Sequence, residues 1–195
     1  METDVIERAH HRYWRDFGYG IVRTPKSTHI MLKVFNTLKR ISPKKLWSLA
    51  KLCLKFPRFV FPTLTATKNC MSLSTQLYGR LHHKNGPANA FRHAFWNYSI
   101  AKKCFRSGKN IGPVLSWTKK ITDWHENAFP NRELAKKMDL HNNEVGRFIF
   151  QEHLSKLENH VVEILKEMAS KAVKIEAQTD FSLLKNQLVY IIDGE

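Results

Sequence analysis

The chain lacks acid where it is richest in base. No Asp or Glu occurs from Phe17 to Thr122, a stretch with 20 Lys and Arg, and the formal net charge of the whole is +15. Such segregation makes a large positive field. It favours an anionic partner, whether nucleic acid, an anionic membrane surface or a phosphate-bearing substrate, although a basic surface can also serve solubility alone. Cysteine is scarce. Cys53, Cys70 and Cys104 are odd in number and show no paired spacing, which argues against a disulfide framework or a Cys zinc site and for a reducing cytoplasm. No apolar run approaches the roughly 18 residues of a membrane span, so no transmembrane segment is expected. The start, METDVIERAHHRYWRDFG, is charged and has no apolar core, unlike a secretory signal. The expected location is therefore cytoplasmic, with peripheral attachment to the inner membrane face open. There is no Gly-rich phosphate loop and no GxSxG. HExxH is also missing, since Phe129 stands where its second His would fall. Nucleophilic Ser or Cys catalysis has no support.

The 195 residues, 43% hydrophobic with 12 Phe and 5 Trp, can fill one core. The pattern predicts a mainly α protein, a single helical domain with a small C-terminal β-hairpin. Helices are expected over about 4–17, 28–40 and 43–56, the last opened by Ser42-Pro43. RFVFPTLTATKN reads as an extended connector and MSLSTQLYGRLHH as a further helix. More helices are expected over about 89–105, 114–126 and 131–156, and through HVVEILKEMASKAV. KAVKIE and QLVYII are the hairpin strands. Residues 1–70 form a basic N-terminal helical region and 71–195 a second domain, or the two are one continuous domain.

Chemistry-bearing side chains crowd three clusters, NAFRHAFWN, ITDWHEN and MDLHNNEVG. In the first, Asn89, His93 and Asn97 are four apart and share one helix face. Arg92 and Trp96 form a second four-spaced pair, with Arg92 placed to grip phosphate or carboxylate by two hydrogen bonds. In the second, Asp123, His125 and Glu126 diverge by about 100° per residue. They cannot all point at one centre; His125 is expected to face inward, and Glu126 to orient an imidazole or act as general base. In the third, Asp139, Asn142, Asn143 and Gly146 share a face if the stretch is helical, while His141 lies on the Met138/Val145 side. Whether Asp139 caps a new helix or sits inside a longer one is open. Gly146 in mid-helix costs roughly 1 kcal/mol against Ala, which a close approach by another helix or a ligand would explain.

These clusters resemble those of an uncharacterised bacterial domain family, a domain of unknown function defined by an N-A-F-R-H-A and an M-D-L-H-N-N element. Its members include small proteins of Bacteroidetes-type bacteria and toxin-like C-terminal modules. The resemblance runs from about 85 to 150 and implies a shared site without naming its chemistry; the toxin-like setting favours a hydrolase.

The leading expectation is a metal-dependent hydrolase acting on a phosphate-bearing or other anionic substrate. Glu126, Arg92 and His125 are its catalytic candidates. His93, His141, Asp139, Asn89, Asn97, Asn142, Asn143 and Asp123 are candidate ligands for zinc or a similar divalent metal. The alternatives are a non-enzymatic basic module on nucleic acid or an anionic membrane, and a structural protein with a buried polar network.

Overall fold

A computed structural model describes residues 41–106, 109–129 and 131–192. The chain divides into units 1–42 and 43–195, and the expected helices over 4–17 and 28–40 lie outside the described residues. The second unit is mainly α. Its helices are α1 (Pro43–Lys55), α2 (Pro57–Tyr78), α3 (Pro87–Cys104), α4 (Gly112–Ala128), α5 (Glu133–Glu152) and α6 (Glu158–Ser170), followed by strands β1 (Val173–Lys174) and β2 (Val189–Tyr190).

The fold is built around α3. This helix starts after Gly86 with Pro87 in its first turn, where a missing N–H costs nothing. It is apolar on almost every side, with Ala90, Phe91, Ala94, Phe95, Tyr98, Ile100 and Ala101 all buried, the pattern of a helix packed all round. α2, α4, α5 and α6 surround it. Gly146 is where α5 crosses α3: a Cβ there would stand 2.1 Å from the carbonyl oxygen of Ala94. The absent side chain lets two backbones touch and draws the polar rows of the two helices together.

Two expectations are corrected and one open point is settled. RFVFPTLTATKN is not a connector. It belongs to α2, which continues without a break into MSLSTQLY and so runs through residue 70. Burial of Phe59, Thr63, Ala66 and Cys70 on one face holds the helix despite Pro62 within it. Asp139 caps nothing, because α5 is continuous from Glu133 to Glu152. The C-terminal strands are parallel, with Val173 opposite Val189 and Lys174 opposite Tyr190. The segment between them contains a 3-10 turn, Phe181–Leu184, and is long enough for the crossover a parallel pair needs. A second, smaller core forms there from Ala135, Met138, Ile175, Val189 and Ile191.

Candidate functional site

α3, α4 and α5 each send one metal-competent side chain to a common point. His93, Glu126 and Asp139 place one ligand atom apiece within 4.8 Å of one another. His93 Nδ1 lies 3.5 Å from Glu126 Oε1, and His93 Nε2 lies 3.3 Å from Asp139 Oδ1. The imidazole thus stands between two carboxyl groups. All three residues are buried, at 3%, 7% and 4% exposure.

The hydrogen bonds fix the ring's tautomer. Arg92 Nη2 is 2.6 Å from His93 Nε2. A guanidinium only donates, so Nε2 accepts and the ring proton sits on Nδ1. Nδ1–H then donates to Asn143 Oδ1 at 3.2 Å. Asn143 Nδ2 in turn donates to Glu126 Oε1 at 3.3 Å, so one amide aims both His93 and Glu126. Arg92 is anchored by Nη1 donating to the His82 carbonyl at 2.5 Å. Asn131 donates to Asp139 Oδ2 at 3.2 Å, while Asp139 Oδ1, also buried, has no hydrogen-bond partner.

Burial sets the protonation balance. It pushes the Glu126 carboxyl up to about 7, against the opposing pull of Asn143 and Arg92. Burial and then the nearby Glu126 push Asp139 up to about 8. Burial and Arg92 hold His93 well below the usual imidazole range, so the ring is neutral. His125 is lowered to about 4 for the same two reasons.

The remaining candidates go elsewhere. Asn97 lies against the site, but its amide is fully engaged. Nδ2 donates to the His93 carbonyl at 3.1 Å and to Asn143 Oδ1 at 2.6 Å, and Oδ1 accepts from Arg147 at 2.8 Å and Thr122 at 3.2 Å. Asn142 clamps β2, donating to the Val189 carbonyl at 2.9 Å and accepting from its N–H at 3.0 Å. Asn89 is buried with Oδ1 unpartnered. Asp123 pairs with Lys119 one helical turn away. His125 packs its ring against Trp96 and Phe129, at centroid distances of 5.1 and 4.8 Å. His141 is on the far side of α5. Its Nε2 is 2.9 Å from the Gln187 carbonyl, its ring faces Phe181, and it lines a groove of about 620 Å³. Asp123, His125 and His141 are therefore outside the converging group. Thr122, Asn131 and Arg147 have no assigned role in the sequence reading. Arg147 was the findable one: it ends the MDLHNNEVGR run and falls one turn after Asn143.

No curated protein matches the chain. Residues 50–173 match the family model described as Domain of unknown function (DUF6973), more than half of the chain, and the protein belongs to that family.

Proposed function

We propose that this domain is a metal-dependent hydrolase whose divalent cation is held by His93, Glu126 and Asp139 and whose substrate is anionic, most simply phosphate-bearing. One observation carries the reading: three donors from three helices meet inside the core, and one of them, Asp139 Oδ1, is buried with no hydrogen-bond donor. An unpaired buried carboxyl oxygen is costly, and either the proton that burial retains on Asp139 or a cation answers that cost. Metal bonds of about 2.0–2.2 Å separate donor atoms by at most about 4.4 Å. The observed 4.8 Å spread therefore closes with a shift of a few tenths of an ångström if the farthest pair stands trans, as in an octahedral site, and of about 1 Å for a tetrahedral one. One imidazole with two carboxylates suits manganese or zinc better than a thiophilic ion.

Each residue then has a task. Asn143 holds the His93 proton on Nδ1 and leaves Nε2 free to bind. A cation at Nε2 requires Arg92 to withdraw, and the released guanidinium becomes the clamp for the substrate's anionic group. A bound cation would supply an acidified water and polarise the scissile bond. Bound through one oxygen, Glu126 would keep the other to take the water's proton, and burial, which raises its carboxyl to about 7, makes it a stronger base than an ordinary carboxylate.

The test is metal analysis of the purified protein and titration with Mn²⁺ and Zn²⁺, for wild type, His93→Ala and Asp139→Asn, alongside hydrolysis of nitrophenyl phosphate mono- and diesters. Near-stoichiometric metal or saturable binding in wild type, at least tenfold weaker in both variants, is expected. A second reading has its own support, since every member of the cluster is under a tenth exposed: a polar network that serves only the core. In that case both variants lose stability, metal changes the melting of none of them, and the hydrolase reading is lost.

A further inference from the structure

The surface of α1 and α2 is unlike the rest of the described surface. Five of the nine large apolar side chains left exposed lie there: Trp47 at 62%, Leu54 at 77%, Phe61 at 77%, Leu64 at 63% and Met71 at 38%. Their spacing is helical. Trp47 and Leu54 are two turns apart on α1. Phe61, Leu64 and Met71 follow at three and seven on α2, with Lys68 among them. α1 has no fully buried residue at all. Single exposed apolar residues are ordinary, but two consecutive helices that each present an apolar stripe need a partner.

The charge around those stripes selects the partner. Lys44, Lys51, Lys55, Arg58 and Lys68 are exposed on the same two helices, and neither helix has an Asp or Glu. The Lys51 ammonium lies over the Trp47 ring, 5.4 Å from its centroid. Lysines flanking Trp, Phe and Leu are what a helix lying in a lipid interface uses, the apolar residues entering the acyl boundary and the lysines meeting anionic headgroups. Nucleic acid would meet the lysines but leave most of these apolar side chains in water, and an acid-free face on a second copy would meet its own positive charge. No described helix is long and apolar enough to cross a membrane; the stripes fit a helix lying along one.

We infer that α1 and α2 form a docking surface for anionic lipid bilayers, with Phe61 and Leu64 as inserting anchors and the lysines as headgroup contacts. The experiment is co-sedimentation of the full chain with phosphatidylcholine vesicles and with vesicles of phosphatidylcholine and phosphatidylglycerol, at low and high salt. Wild type is compared with Phe61→Ser/Leu64→Ser and with Lys51→Glu/Lys55→Glu/Lys68→Glu. All five positions are exposed, and unchanged circular dichroism and melting confirm that each variant folds. Binding to the anionic vesicles alone, reduced at least tenfold by either variant and by salt, is expected. The inference is overturned by absent binding, or by binding that ignores the apolar variant. It is equally overturned by preference for a DNA or RNA oligonucleotide over vesicles, or by self-association that the apolar variant abolishes without any vesicle binding. The site variants at His93 and Asp139 leave vesicle binding unchanged, so this result and the metal result stand or fall separately.

Discussion

At Gly146 a single methyl group decides whether α3 and α5 can approach. Its Cβ would overlap the backbone of Ala94, with 2.1 Å to the oxygen and 2.8 Å to the carbonyl carbon, and backbone cannot rotate away as a side chain can. Overpacking commonly costs about 1–3 kcal/mol. Gly146→Ala is expected at or beyond the top of that range, measured by denaturant unfolding, and a loss below about 1 kcal/mol would contradict the close crossing. Asp139 offers a second test, through pH. Its folded carboxyl is held up to about 8, and that of Glu126 up to about 7, whereas unfolded carboxyls titrate near about 4. The folded state therefore keeps protons that the unfolded chain releases. The stability this gives is complete below about pH 4 and is lost as pH rises towards 8. With chelator present, Asp139→Asn should gain on wild type between pH 5 and pH 8. The variant keeps every histidine, so their opposite loss on acidification cancels in the comparison. Added Mn²⁺ should reverse the order at pH 8, because a cation needs the ionised carboxylate. Equal pH slopes with and without metal would count against Asp139 as a ligand. For Asn143→Ala, loss of the amide that aims His93 and Glu126 should weaken metal binding about 10–100-fold; an unchanged affinity in the titration would leave Asn143 merely structural.

Neighbouring residues on one element separate into different tasks. Asn142 and Asn143 are adjacent on α5, yet Asn143 faces His93 while Asn142 takes the place of a strand beside Val189. Asn142→Ala leaves a buried N–H and a buried C=O of Val189 unpaired, at about 1–3 kcal/mol for each group. Faster amide exchange at Val189 with unaltered metal binding is the expected outcome, and a metal defect would move Asn142 back to the site. Helical period made much of this arrangement legible. It put Asn89, His93 and Asn97 in one row, and it put His141 on a different side of α5 from Asp139. Period fails where sequence neighbours are ambiguous. RFVFPTLTATKN has three Thr and Pro62, so local preference opposes a helix, and the burial of Phe59, Thr63, Ala66 and Cys70 overrules it. Strand direction is not written in a β-branched run. The same KAVKIE and QLVYII serve a hairpin or a crossover, and the packing of Ile175, Val189 and Ile191 against Met138 selects the crossover.

At the scale of the molecule, the matched family segment and the folding unit have different limits. The family match ends at residue 173, at the first residue of β1, whereas the second core needs Ile175, Leu184, Val189 and Ile191 to cover Ala135 and Met138. Those two residues lie just before Asp139 on α5, so the C-terminal segment buttresses the helix that supplies one of the three converging donors. It also provides the Val189 backbone that Asn142 holds and the Ile191 N–H bonded to the Asn85 carbonyl just ahead of α3. Removing it exposes an apolar face of α5 and leaves buried amide and carbonyl groups without partners, which makes an independent fold of 50–173 unfavourable. A fragment of residues 43–195 should melt cooperatively and bind metal as the full chain does. A fragment of residues 50–173 should melt well below it, or without a cooperative transition, and lose the metal effect. If instead the shorter fragment melts within a few degrees of the longer one and binds metal equally, the C-terminal strands do not support the site, and α3, α4 and α5 hold His93, Glu126 and Asp139 by themselves.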